Sequence, residues 1–404
     1  MGDLRKQGIL MLVENLSVPF DRRVWREATT LRDAGYSVTV VSPKGERWDT
    51  RGYECIEGIH IYRYGMWEAN RGGTLAYLLE YGQALVMMSL ITLWIFFRHG
   101  FRTIHAANPP DLLFLVALPY KLFRVQYVFD QHDPSPETYV QKKQAHVRLG
   151  LLRALRLFEK LSYCTADLVI ATNESIGALA RSRGRCQTSR VSVVRNAPRR
   201  EEVQHIEPDM ALKQGKPFLI VYVGVMGSQD GVDHLLQALS VLCGRRPQRD
   251  FRLCLIGGGD ELERMRAYAG ELGIAEQVEF LGMVYDKARV FQGIAAADVC
   301  VCPDPKSPTN DLLTLIKQIE YMALGKPVVA FDLVEVRRSG ADAALYADDD
   351  EAFAELIDRL FEDADLRTTL GERGRKRFEE ELCWERSAEN LLNAYAVLIP
   401  QAHS

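Results

Sequence analysis

The chain has no Cys-x-x-Cys pair, and its eight cysteines (Cys55, Cys164, Cys186, Cys243, Cys254, Cys300, Cys302 and Cys383) form no regular framework. Neither a zinc site nor a dithiol redox motif is therefore supported, and scattered free thiols fit a reducing cytoplasm. A large charge excess is also missing: a net charge of −4 over 404 residues gives no bulk attraction to nucleic acid. No repeat or low-complexity tract is visible. The start, Met1-Gly-Asp-Leu-Arg-Lys-Gln, lacks the shape of a signal peptide and leads straight into a strand, so a cytoplasmic chain is expected. One stretch lacks charge altogether, from Tyr81 to Phe97. It can be read as a core or groove helix, a helix lying in a membrane plane, or a span. The stretch is short of the ~20 residues a bilayer needs and sits between two strands of one sheet, which favours the first reading.

What is present is ordinary for a folded chain: 47% hydrophobic and 26% charged residues. The length predicts about two or three domains. Arginines gather at Arg22, Arg23, Arg26 and Arg32, and again from Arg181 to Arg195. Such clusters read first as solvated faces, although anionic lipid head groups would suit them. Two series of strand–helix alternation follow one another. The first begins with the strand Ile9–Val13, a helix from Arg22 to Ala34 closed by Gly35, and the strand Tyr36–Val41. It continues through strands near 59–62, 103–105, 126–129, 168–171 and 191–194. The second contains strands near 218–223, 251–256, 278–281, 299–302 and 328–331, then a tail that reads as helical. Short apolar strands between helices imply parallel sheets covered on both faces. The expected class is α/β, with two doubly wound, Rossmann-like domains facing a central cleft. Residues 1–200 form the first domain and 201–380 the second, and 381–404 is a C-terminal helix packing back on the first.

Several motifs sit where such sheets bind ligands. Val223-Gly-Val-Met-Gly-Ser-Gln-Asp-Gly231 joins a strand to a helix, and Gly224 and Gly227 would let backbone amides approach an anion. Ile256-Gly-Gly-Gly-Asp260 has the same form but reads better as a structural turn with a helix cap. Lys317 and Glu320 share a helical face beside the turn Ser307–Asn310. A carboxylate there can accept hydrogen bonds from a ribose diol, while amides around Thr314 and Leu315 meet phosphates and Lys317 offsets a leaving diphosphate. In the first series, Asp130-Gln-His132-Asp133-Pro-Ser-Pro follows a strand. His132 and Asp133 could contact a sugar and a hydroxyl acceptor, although an Asx-type turn explains Asp133 as well. Asn108-Pro-Pro-Asp111 reads first as a helix start.

Together these motifs resemble family-4 retaining glycosyltransferases of the GT-B fold, of the polysaccharide-assembly type. The likeness covers nearly the whole chain. It rests on Asn15-Leu-Ser-Val-Pro-Phe-Asp21-Arg-Arg-Val-Trp-Arg-Glu27-Ala, on Thr172-Asn-Glu-Ser, on Val194-Arg195-Asn-Ala-Pro198, and on Glu320-Tyr-Met-Ala-Leu-Gly-Lys-Pro-Val-Val. The resemblance implies a hexosyltransferase that uses a nucleotide-sugar donor without a cofactor or bound metal. The acceptor would be a lipid-linked glycan in envelope or exopolysaccharide synthesis, met at the inner face of the cell membrane. Glu320 would hold the ribose and His132 the transferred sugar, with Lys317 completing the catalytic group. Gly224, Gly227, Arg195, Asn310, Thr314 and Leu315 would face the donor, and Asp21, Asp133 and Asn108 the acceptor. Two positions depart from the pattern. The first Glu of the family's Glu-x7-Glu motif falls on Leu312, and Met226 and Asp230 stand where a basic pair is common. A nucleotide-sugar epimerase and a non-catalytic partner subunit of the same fold are the competing readings.

Overall fold

A computed structural model describes residues 7–45, 47–66, 74–143 and 146–399. The chain forms two compact units. The first takes the residues up to Arg195 together with those from Ser387 onward, and the second runs Asn196–Arg386. The expected boundaries at 200 and 380 fall a few residues from these.

The first unit holds an eight-stranded sheet in the order β3-β4-β2-β1-β5-β6-β7-β8. Its strands are β1 (Gly8–Leu12), β2 (Ser37–Pro43), β3 (Tyr53–Ile56), β4 (Ile59–Tyr64), β5 (Thr103–Ala107), β6 (Gln126–Gln131), β7 (Leu168–Ala171) and β8 (Val191–Val193). All pairings are parallel except β3 with β4, a hairpin edge that the sequence reading lacks. The second unit is a wholly parallel sheet ordered β11-β10-β9-β12-β13-β14. Its strands are β9 (Phe218–Val223), β10 (Phe251–Ile256), β11 (Val278–Gly282), β12 (Val299–Cys302), β13 (Val328–Phe331) and β14 (Ala344–Ala347). The last of these was also not expected.

The unbroken apolar strands are explained by two covered faces. Along β9, Leu219 and Val221 enter one core while Ile220 and Tyr222 enter the other. Along β12, Cys300 and Cys302 pack with the first set and Val299 and Val301 with the second. These two thiols are thus core groups, and burial pushes both up from the usual thiol range. All eight cysteines are free.

The uncharged stretch lies in the helix Thr74–Arg98, which connects β4 to β5. Ala84, Met88 and Ile95 are buried in the first unit's core. Val86, Leu90, Leu93, Trp94 and Phe97 are exposed. It is the one helix among the described residues long and apolar enough to cross a membrane. One face thus packs in the core and the other is exposed.

The expectation of solvated arginine faces needs correction near the N-terminus. Arg23 and Arg26 are buried, and only Arg22 and Arg32 of that group reach solvent. The reason is specific pairing: the Arg23 guanidinium lies 2.8 Å from Asp130 and 3.0 Å from Glu27.

Candidate active site

In each sheet the chain first winds to one side and then returns to the other. The reversal lies between β1 and β5 in the first unit and between β9 and β12 in the second. Loops leaving the carboxyl ends of such neighbours separate there and open a crevice. Asp21 and Asn108 follow β1 and β5, and Gly224, Gly227 and Asn310 follow β9 and β12; His132 and Asp133 follow β6, beside β5, and Arg195 follows β8 at the sheet's edge.

In the second unit the loops after β9 and β10 interlock. Gly224 N–H donates to the Ile256 carbonyl at 3.0 Å, and Met226 N–H to that of Gly258 at 2.9 Å. Gly257 sits at φ +144°, and a Cβ there would meet the Gly224 oxygen at 1.8 Å, so this glycine is needed for close approach. The Gly227 amide is taken by the Asp230 carboxylate at 2.9 Å. Met226 is fully buried in the core. The two departures from the family's basic pair therefore have structural uses: one fills the core and the other closes the loop.

Lys317 and Glu320 lie on the helix Ile316–Ala323, which Leu315 precedes in extended conformation. Leu312 closes a turn of 3-10 helix, Asn310–Leu312, and the extended Leu313 parts it from that helix. Leu312 thus lies outside the helix that carries Glu320. The side chain of Asn310 donates to the Pro305 carbonyl at 2.8 Å and to that of Gln229 at 3.2 Å, tying its turn to the β9 loop. Thr314 is half-buried and Leu315 buried.

The two charged side chains of the helix have different partners. Lys317 Nζ lies 2.9 Å from Asp304 Oδ2, rests 4.5 Å from the centre of the Tyr222 ring, and stands beside Gly224. Burial disfavours its charge, but Asp304 outweighs burial and holds the lysine well above its usual range. Lys317 is therefore one half of an ion pair rather than a lone ammonium. Glu320 is buried, and its Oε1 accepts a hydrogen bond from Lys287 Nζ. Lys287 in turn lies over the Phe291 ring at 4.7 Å. Sequence reasoning missed both Asp304 and Lys287. The signal available for Lys287 was its place at the first position of a helix capped by Asp286.

In the first unit Asn108 is a clasp. Its Oδ1 accepts from the backbone N–H of His132 at 2.6 Å and of Asp133 at 3.2 Å, while Nδ2 donates to Asp111 Oδ1 and to the Asp133 carbonyl, both at 2.7 Å. The expected helix start is present in short form, a 3-10 turn over Asp111–Leu113. Burial raises the Asp111 carboxyl to about 6, with Asn108 opposing. His132 is partly exposed, with Nε2 2.6 Å from Asp130 Oδ2. Asp21 caps the helix Arg22–Asp33, its Oδ1 accepting from the amides of Arg23 and Val24 at 3.1 Å. Arg195 is half-buried in the same unit, with Nη2 3.8 Å from Glu174. One buried trio, Glu27, His105 and Asp130, brings ligand-type atoms within 4.8 Å of one another. The Arg23 guanidinium already supplies the cation there, and no metal is assigned.

Two domain models match the chain: residues 21–197 fit a "Glycosyl transferase 4-like domain" and residues 217–363 fit "Glycosyl transferases group 1". The fold and these matches are those of the GT-B glycosyltransferase family. The chain belongs to that family, as the motifs implied. Among curated relatives, a D-inositol 3-phosphate glycosyltransferase of Corynebacterium jeikeium is 32% identical over 47% of this chain and 46% of its own length. The lipopolysaccharide core biosynthesis glycosyltransferase LpsE of Rhizobium meliloti is 30% identical over 45% of this chain and 49% of its own. The chain spans about half the length of these relatives. Among solved structures, sucrose-phosphate synthase of Thermosynechococcus elongatus superposes with a TM-score of 0.78 at 21% identity, covering 98% of this chain and all of that one. HepE of Anabaena, in complex with UDP-glucose, superposes with a TM-score of 0.70 at 16% identity, covering 96% and 99%. These likenesses carry the fold.

Proposed function

We propose that this chain transfers a hexose from a nucleotide-sugar donor to a hydroxyl of a lipid-linked glycan, with retention at the anomeric carbon, in envelope or exopolysaccharide synthesis. The observation that carries the reading is the buried Glu320 carboxylate at the second unit's crevice, with Lys287 on one oxygen. An ionised carboxylate is an acceptor only, and a ribose diol is a matching pair of donors. The amides at the start of the Ile316–Ala323 helix then face the diphosphate, where the helix dipole favours negative charge. Lys317, held beside Gly224 by Asp304, keeps a positive charge next to the departing phosphate. His132 contacts the transferred sugar. The name of LpsE and the UDP-glucose held by HepE support the polysaccharide setting and the donor class.

The membrane side of the reading rests on the helix Thr74–Arg98. Its outer face carries Leu90, Trp94 and Phe97, and the Phe96 ring reaches Phe123 on the next exposed apolar turn, where Leu122 is 87% exposed. Arg98 on the helix and Arg124 beside the turn flank this patch. Apolar groups rimmed by cations suit the inner face of an anionic bilayer. A lipid-linked acceptor would be met there.

The test incubates purified protein with a panel of nucleotide sugars, with and without membrane lipid extract. Nucleotide release that requires the lipid is the expected result. An isomerised sugar nucleotide, or no binding of any donor, overturns the proposal.

A further inference from the structure

The N-terminal signature contains Arg23 and Glu27, which the donor and acceptor roles above leave unused. Both are buried, and both point behind His132 rather than toward a ligand. Arg23 Nη2 lies 2.8 Å from Asp130 Oδ1, and Arg23 Nη1 donates to the Val194 carbonyl at 2.8 Å. Glu27 lies on the same helix, 3.0 Å from the guanidinium and 3.5 Å from His105 Nε2. Asp130 uses its other oxygen for His132 Nε2 at 2.6 Å and stands 3.4 Å from His105 Nε2. The far side is closed from the C-terminal helix Trp384–Leu398, whose Tyr395 hydroxyl is 2.7 Å from His105 Nδ1. The groups facing Asp130 and His132 are thus Arg23 and Glu27 from the first helix, His105 from β5 and Tyr395 from the last.

Two carboxyls and one guanidinium in a dry site cannot all be charged without cost. Burial disfavours ionisation of both acids, but Arg23 and His132 outweigh it at Asp130 and hold that carboxyl well below its usual range. Burial, with the neighbouring Asp130, pushes Glu27 well above the usual range. Asp130 is therefore the ionised member and can only accept hydrogen bonds. His132 Nε2 must then donate, and a neutral ring has its lone pair on Nδ1.

We propose that Asp130, clamped by Arg23, is a positioning residue that locks His132 in the Nε2–H form, so that Nδ1 is the nitrogen offered to a sugar hydroxyl. The signature of the first helix is then a device for holding that histidine, and the C-terminal helix completes its enclosure through Tyr395. The ligand class rests on the transferase reading, but the locked tautomer does not.

Long-range proton–nitrogen spectra of protein labelled with 15N-histidine test the idea, the His132 signals being assigned by their loss in His132→Gln. The expected pattern has the proton on Nε2 at neutral pH and a bare Nδ1. In Asp130→Asn the Arg23 guanidinium keeps the amide oxygen, the amide N–H faces His132 Nε2, and the ring proton should move to Nδ1. A proton on Nδ1 in the native protein overturns the proposal, as does an unchanged tautomer in the folded variant. If Asp130→Asn does not fold, the native tautomer decides alone. No donor or acceptor enters the measurement, so it can fail while sugar transfer stands, and the reverse.

Discussion

Replacing Glu320 by alanine separates ribose binding from fold stability. The carboxylate is buried, and its one described partner is Lys287, whose side chain is 27% exposed. After the change Lys287 can turn to water, so the stability cost should be that of a weak ion pair plus some lost packing, about 1 kcal/mol. Donor binding should lose more. Lys287 already occupies Oε1, so a hydroxyl meets Oε2 as a fresh charge-assisted acceptor. One such bond contributes about 1.5–3 kcal/mol. At ~1.4 kcal/mol per tenfold, Kd for the nucleotide sugar should rise about 10–150-fold. Titration calorimetry with the donor measures the affinity, and thermal melting of the same sample checks the fold. Lys287→Ala should weaken the donor less, because it removes a neighbour of the acceptor and not the acceptor itself. A folded Glu320→Ala protein with native donor affinity would refute the reasoning, and with it the ribose assignment.

Other outcomes follow from single contacts. Asp304→Ala leaves a buried, protonated Lys317 without its counter-charge and should cost about 3–5 kcal/mol, seen as a lower melting temperature of the second unit. Gly257→Ala places a methyl against the Gly224 oxygen at a positive φ; the two loops must part, and both melting temperature and donor affinity should fall. Glu14 gives a pH prediction. Burial first and Glu80 second raise its carboxyl to about 8, and its Oε1 is buried without a hydrogen-bond partner. A raised folded pKa means the contribution is fully present below the unfolded value near 4.5 and is lost as pH climbs through about 8. Glu14→Gln should therefore flatten the stability profile between about pH 4.5 and 8 and melt higher than the native chain above pH 8. Denaturant titrations across that range check the sign. Replacing Leu90 and Phe97 by serine should reduce flotation with anionic vesicles, each exposed side chain contributing about 1–2 kcal/mol to partition.

Much of this chain is legible in one dimension because its information is local. Periodicity and β-branched runs place most strands, and Asp21, Asn173 and Asp286 cap helices within three residues of themselves. The glycine after β9 and the Lys317–Glu320 helix mark one crevice for the same reason. The β3–β4 hairpin escaped because Tyr53–Ile56 is a short, polar edge, and β14 because Ala344–Ala347 is short and alanine-rich.

What the order of residues determined by itself was the alternation of elements, hence two covered parallel sheets, and the loops that leave their carboxyl ends. What only tertiary structure decided was which charge meets which. Arg23 reaches Asp130 across 107 positions and Tyr395 reaches His105 across 290. Asp304 claims Lys317, and Lys287 claims Glu320. Charge pairing depends on distance in space and on the removal of water, and neither is written in the spacing of residues along a chain.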